Sequence, residues 1–282
     1  MEGLLVEEGQ LERFREYLKE EERSELTIEK YLRDIKAFSS FLNGRRCNKR
    51  LVMDYKHELM ERYKPTSVNS ILAALKSFFS FCGREELKVK SLKIQKNMFS
   101  ERDRELSQGE YRRLLSAAKH KKNERLWLIM QTICSTGIRV SELEFITVKA
   151  VEYSKAEVVS KGKRRAVFIT PKLRKLLLEY VKQRNITEGS VFISRNGIPL
   201  NRHRIWADMK ALCEAAKVSP RKVFPHNLRH LFARSFYALE KDLGRLADIL
   251  GHSNINTTRI YTMECGKEHE RILSRLSLLY NN

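Results

Sequence analysis

Apolar side chains in the first 95 residues recur three and four positions apart, a spacing that suits helices and cannot line one face of a β-strand. Thr27–Phe38 puts Ile28, Tyr31, Leu32, Ile35 and Phe38 on one face. Thr66–Phe81 follows Pro65, a residue tolerated in a helix's first turn, and its stripe is Val68, Ile71, Leu72, Leu75 and Phe79. Glu8–Glu21 and Asn48–Tyr63 read as two further helices. Stripes of this kind pack a core far more often than they touch a ligand, so a small four-helix domain is expected over residues 1–95. Lys93–Arg104 is polar and aperiodic, which places a linker at 96–104 and a second domain at 105–282.

The second domain mixes signals. Ser107-Gln-Gly-Glu110 has the spacing of a capping box, and Leu126–Thr136 is an apolar helix stopped by Gly137, a residue suited to the left-handed C-terminal position. Glu157–Ser160 and Arg165–Thr170 read as two strands about a glycine turn at Lys161-Gly162-Lys163. Lys172–Arg184 and Asn201–Ala216 read as helices, with a short apolar run at Val191–Ser194 between them. The expected fold is mainly α, with a small antiparallel sheet in the second domain and too many helices for a parallel α/β architecture.

Charge narrows the partners. The chain of 282 residues carries 55 Lys plus Arg against 35 Asp plus Glu, a net charge of +20. Residues 1–100 account for only +4 of it and residues 101–282 for +16. Such a field attracts polyanions, and nucleic acid is the expected partner over acidic lipid or a merely solvated surface. No apolar run is long enough to span a bilayer, and the acidic start Met1–Glu8 does not read as a signal peptide, so a cytoplasmic protein is expected. Five scattered cysteines, without a C-x-x-C pair, argue against a disulfide framework and a zinc ribbon.

Chemistry concentrates between residues 226 and 261. His226-Asn-Leu-Arg229, Leu250-Gly-His252 and Tyr261 fall within 36 residues, and Thr136-Gly-Ile-Arg139-Val-Ser-Glu142 supplies a second arginine upstream. Arginine suits a phosphodiester under attack, because its planar fork is always charged and binds two oxygens at once. Arg139 and Arg229 are the candidate clamps, and Tyr261 is the candidate nucleophile, storing the broken bond as a phosphotyrosine ester. His226 and His252 can bond the phosphate or move the tyrosine proton. A lysine on the hairpin, Lys161, is the candidate acid for the departing 5′-oxygen. Each residue also has a bland reading. Tyr261 is one of ten tyrosines, Arg139 has Glu142 one turn on as a candidate ion-pair partner, and a lysine in a turn is usually just solvated. The i,i+4 pair His226 and His230 raises a zinc site, but it lacks the glutamate of H-E-x-x-H and has Arg229 between its histidines. His57, His120, His203 and His269 receive no functional reading.

The motifs together overturn the bland readings. Their order and spacing resemble the tyrosine recombinases, or phage integrases. Thr136-Gly-Ile-Arg139-Val-Ser-Glu142 matches that family's Thr-Gly-x-Arg-x-x-Glu, Ser160-Lys161-Gly162-Lys163 its Gly-Lys-Gly-like hairpin, and His226–His230 its His-x-Leu-Arg-His. Leu250-Gly-His252-Ser, Thr257-Thr258 and Tyr261 match its Leu-Gly-His-Ser…Thr-Thr-x-x-Tyr. The resemblance runs from Ser107 to about Leu279. One departure falls at the hairpin, where Ser160 replaces the usual glycine and Lys163, Arg164 and Arg165 crowd the turn, leaving Lys163 as a rival to Lys161.

The resemblance implies a SAM-like core-binding domain over residues 1–95 and a catalytic domain over 105–282, the two clamping double-stranded DNA. It implies a homotetramer on two sites, working through a Holliday junction with no cofactor or metal, with a paralogous recombinase or accessory protein as a further possible partner. It also implies a nucleoid-associated protein. The stripe Ile272, Leu273, Leu276 and Leu279 is expected to dock on a neighbouring protomer. The absence of an additional amino-terminal domain is expected of short Xer-type resolvases or compact mobile-element integrases. The rival classes are a catalytically silent DNA-binding regulator, a type IB topoisomerase-like enzyme, and a nuclease that uses water.

Overall fold

The computed structural model describes residues 4–94, 104–160 and 162–261. The linker positions 96–103, Lys161 and the C-terminal stripe at 272–279 lie outside them. The chain divides into two compact units, Met1–Lys96 and Asn97–Asn282.

The first unit is four helices: α1 (Glu8–Glu20), α2 (Glu25–Leu42), α3 (Lys49–Arg62) and α4 (Pro65–Phe81), followed by a short 3-10 turn at Glu85–Leu87. Pro65 sits in the first turn of α4, where a missing N–H costs nothing. Asn48 caps α3 by accepting from the Leu51 N–H at 3.0 Å, and Asn43 ends α2 in the left-handed conformation. The expected stripes face inward, with Ile28, Ile35, Phe38, Val68, Leu72, Leu75 and Phe79 all buried. Aromatic rings fill the centre. Phe14 meets Phe78 edge-on at 5.2 Å, and Phe38 lies 5.1 Å from Tyr55. Beyond the 3-10 turn an extended segment is tied back to α4, where the Asn69 amide and the Leu92 backbone exchange hydrogen bonds of 2.9 and 2.7 Å.

The second unit begins with α5 (Gln108–His120), whose capping box is formed as expected: Glu110 N–H donates to Ser107 Oγ at 3.1 Å, and Ser107 N–H to Glu110 Oε2 at 2.8 Å. Helix α6 (Glu124–Thr136) buries Leu126, Leu128, Ile129, Met130 and Ile133. Burial on nearly every side explains why its sequence reads apolar all round. Gly137 ends it at φ 66°, and a Cβ there would lie 2.5 Å from the Phe232 ring, so the position is reserved for glycine twice over. A 3-10 segment (Val140–Phe145) and α7 (Val148–Glu152) lead to the antiparallel hairpin β1 (Lys155–Ser160) and β2 (Lys163–Phe168), with Lys155 opposite Phe168 and Ser160 opposite Lys163.

Helix α8 (Pro171–Gln183) follows. The helix expected over Asn201–Ala216 is broken into α9 (Arg202–Lys210) and α10 (Cys213–Ala216). Leu212 N–H donates three residues back to Met209, which tightens the chain so that Leu212 and Cys213 are both buried. Helix α11 (Pro225–Glu240) packs against α6, then α12 (Leu243–Leu250), α13 (Ile255–Thr258) and a 3-10 turn (Arg259–Tyr261) complete the described chain. No described helix is long and apolar enough to cross a membrane, and the four described cysteines are free.

Candidate active site

Helix α11 supplies the centre of the site. His226, Arg229, His230 and Ala233 are spaced three and four apart, so they share one face. Arg229 is 1% exposed, a burial that a cation tolerates only when bonded. Its fork donates to the Gly137 carbonyl at 2.6 Å and the Leu250 carbonyl at 2.7 Å, joining the ends of α6 and α12. Burial, and then the charge of Arg139, lower its pKa to about 10, which leaves it charged at neutral pH.

The end of α12 delivers His252. Gly251 turns the chain in the left-handed conformation, and His252 N–H returns to the Ala247 carbonyl at 2.9 Å. The imidazole Nε2 lies 2.9 Å from Arg229 and Nδ1 lies 2.9 Å from Thr258 Oγ1. Arginine only donates, so Nε2 must accept, and the proton belongs on Nδ1, aimed at Thr258. That assignment needs a neutral ring. Burial, followed by the charges of Arg229 and Arg139, lowers the His252 pKa to about 4 and supplies it. His226 is lowered for the same three reasons, and His230 is lowered to about 3 by burial and then by His226 and Arg234.

Tyr261 is 4% exposed and packs with Ala233, Leu246 and Leu250. Its ring stacks at 6.0 Å from His252 and meets His230 edge-on at 4.7 Å, while His230 in turn lies 4.5 Å from His226. Arg139 stands at the mouth, its side chain 37% exposed, with Nη1 on Glu142 Oε1 at 2.7 Å. Glu142 is itself buried and takes a second arginine, Arg165, on Oε2 at 2.5 Å. Burial opposes the charge of Glu142, but the Arg139 N–H and the two guanidinium groups outweigh it and hold the carboxyl below its usual range. A cleft of about 750 Å³ opens here, lined among others by Arg139, Glu142, Arg164, Arg165, Gly251 and His252.

The structure therefore gathers Arg139, His226, Arg229, His252 and Tyr261 around one point from segments more than 120 residues apart. Lys161 lies outside the described residues, as does the side chain of Lys163. Three contributors were given no role in the sequence: Arg165, which reads as one member of a basic run, His230, whose i,i+4 spacing from His226 raised a zinc site that the missing glutamate argued against, and Thr258, whose hydroxyl bonds His252 Nδ1. Among the described residues no three His, Cys, Asp or Glu side chains are grouped to hold a metal ion. The cluster is net cationic and concave. It can hold an anionic, tetrahedral group beside a phenol and neutral imidazoles, which is the equipment for phosphoryl transfer.

Residues 104–267 match the phage integrase family, and residues 11–86 match the phage integrase N-terminal SAM-like domain. The tyrosine recombinase XerC of Roseiflexus castenholzii is 30% identical over 282 residues, spanning 90% of this chain and 88% of that protein. The tyrosine recombinase XerA of Pyrococcus horikoshii is 28% identical over 285 residues, 98% of this chain and 96% of its own length. Among solved structures, the XerA recombinase superposes with a TM-score of 0.53 at 28% identity, covering 96% of this chain and 99% of that one. A lambda integrase dimer bound to a COC′ core site shares the fold, with a TM-score of 0.76 at 17% identity over 95% of this chain and 97% of that one. The chain belongs to the phage integrase family of tyrosine recombinases.

Proposed function

We propose that this chain cuts and rejoins duplex DNA at specific sites through a 3′-phosphotyrosine ester on Tyr261. The observation that carries the reading is a buried Tyr261 packed against His252 and His230, with Arg229 bonded to His252 and Arg139 lining the cleft beside it. Arg139, half-exposed at the cleft, and Arg229 beneath it neutralise the charge gathering on the non-bridging oxygens. Arg229 Nε is buried with no hydrogen-bond partner among the described residues after its fork has bonded the two carbonyls. Neutral His226 takes up the tyrosine proton by way of His230, and His252, held by Thr258, supports phosphate binding by accepting from Arg229. Lys161 protonates the departing 5′-oxygen, with Lys163 the alternative. Rejoining is the reverse attack, so the ester conserves the bond energy and the reaction needs neither nucleotide nor metal.

In this reading residues 1–95 are a core-binding domain, 96–104 a linker and 105–282 the catalytic domain. Basic side chains of both domains grip backbone phosphates, which positions the protein without specifying sequence. Four protomers work on two sites through a Holliday junction, with a partner recombinase or accessory protein where the system has one, and the C-terminal segment docks on a neighbour. Support for the assembly comes from relatives, since lambda integrase has been solved as a tetramer bound to a Holliday junction. Its place of action is the chromosome, in the cytoplasm at the nucleoid.

The test is covalent trapping. Wild type and Tyr261→Phe are incubated with a nicked suicide duplex carrying a candidate site from the chain's own genomic flanks, then run on a denaturing gel. A protease-sensitive shifted band in wild type alone is the expected result. A band of equal strength in Tyr261→Phe would overturn the nucleophile, and a cleaved duplex with no attached protein would make the enzyme a water-using nuclease.

A further inference from the structure

Arg165 lies on β2, outside the set of residues that clamp or attack, and its contacts reach both clamps. Its Nη2 donates to Glu142 Oε2 at 2.5 Å and its Nη1 to the Ile249 carbonyl at 2.9 Å, bridging positions 23 residues upstream and 84 downstream. The stem of the side chain runs under Gly251. A Cβ at that glycine would sit 2.8 Å from Arg165 Nε and closer still to its Cδ, so the absence of a side chain at 251 is what lets the arginine pass. Gly251 precedes His252, which meets Arg229 at 2.9 Å. Glu142, at the other end, accepts from the Arg139 backbone N–H at 2.9 Å and from its guanidinium at 2.7 Å.

Charge explains why a second arginine is needed. Glu142 is 3% exposed, and with Arg139 as its sole cation the pair would be neutral, each tied to the other. Arg165 occupies Oε2, leaves Oε1 to orient Arg139, and makes the trio net positive, so Arg139 is aimed without being cancelled. We propose that Arg165 is a positioning residue that couples the two clamps: through Glu142 it aims Arg139, and through the backbone at Ile249 and Gly251 it holds the turn that presents His252 to Arg229. The hairpin is thereby tied to both halves of the site. This rests on the reading of Arg139 and Arg229 as phosphate clamps.

The experiment compares wild type, Arg165→Gln and Arg165→Lys in single-turnover cleavage of two suicide duplexes, one ordinary and one with a neutral methylphosphonate at the scissile position. DNA affinity and thermal unfolding are measured alongside. Arg165→Gln is expected to cleave the ordinary duplex about 10- to 100-fold more slowly, as misplacement of a charged group does, with affinity unchanged. The deficit should shrink on the methylphosphonate, which has less charge to neutralise. Lysine keeps the charge but cannot reach Glu142 and Ile249 at once, so Arg165→Lys should remain slow, and it carries the same test should the glutamine variant fail to fold. Equal deficits on both duplexes would reduce Arg165 to a folding role, and wild-type rates in either variant would overturn the coupling. Failure of the wild type to attach to DNA would instead overturn the phosphotyrosine reading beneath it.

Discussion

The two units bury different things. Among the described residues of the N-terminal unit the buried side chains are apolar except for Asp34, which Lys30 neutralises at 2.5 Å, and aromatic rings fill the middle. In the second unit Arg229, Glu142, Asn227, Thr132, Thr136, Ser190 and Thr258 are buried among the described residues, several of them in or beside the site. A buried charge that is fully bonded adds little net stability, yet its removal leaves partners unsatisfied. The first unit is therefore arranged for packing, whereas the second accepts a charged interior because phosphate chemistry requires preorganised cations in a dry place.

The largest expected effect tests the apolar side of this contrast. Phe38→Ala should lower stability by about 3–5 kcal/mol in denaturant unfolding, the usual cost of deleting a buried phenyl ring. A change under 1 kcal/mol, by the same scale, would mean that the aromatic cluster is not a core. Arg229→Ala tests the other side. Its single-turnover cleavage should fall by about 3–4 kcal/mol of transition-state stabilisation, while the Gly137 and Leu250 carbonyls it abandons cost less in folding. A stability loss as large as the cleavage loss would erase the difference between the units.

Gly137→Ala comes next. The left-handed backbone and the collision with Phe232 should together cost about 2–3 kcal/mol in thermal unfolding, and an unchanged midpoint would refute the close approach of α6 to α11. The pH dependence offers a separate test. His230 and His252 titrate near 6.5 when unfolded but at about 3 and about 4 when folded, so the folded state binds fewer protons in between. Stability should be full above pH 6.5 and decline as the pH falls toward 4, with a shallower decline in His230→Phe. An identical slope in that variant would remove His230 from the account. Smallest is Ser107→Ala, expected to cost about 1 kcal/mol through the α5 capping box.

The same contrast explains what could be read from sequence. Helices α1 to α4 announce themselves because Phe38, Leu72 and Phe79 owe their burial to local periodicity. In the second unit the motif spacing pointed to Arg139, His226, Arg229, His252 and Tyr261; Arg139 and His252 line the cleft, Arg229 and Tyr261 meet His252, and His226 joins them through His230. Arg165 and Thr258 stayed invisible because their partners are set by tertiary contact. Nothing near Arg165 in the chain indicates that Glu142 and Ile249 will meet there. The break between α9 and α10 is illegible for a related reason: Ala211 and Leu212 suit a helix locally, and the turn arises from the demand to bury Leu212 and Cys213 together.

The central claim is that Tyr261 attacks the phosphate held by Arg139 and Arg229. Trapping the covalent complex, digesting it with protease and sequencing the peptide left on the DNA tests that most directly. The account predicts a peptide linked through Tyr261 to a 3′-phosphate. A linkage through any other of the ten tyrosines, or through a serine, would contradict it.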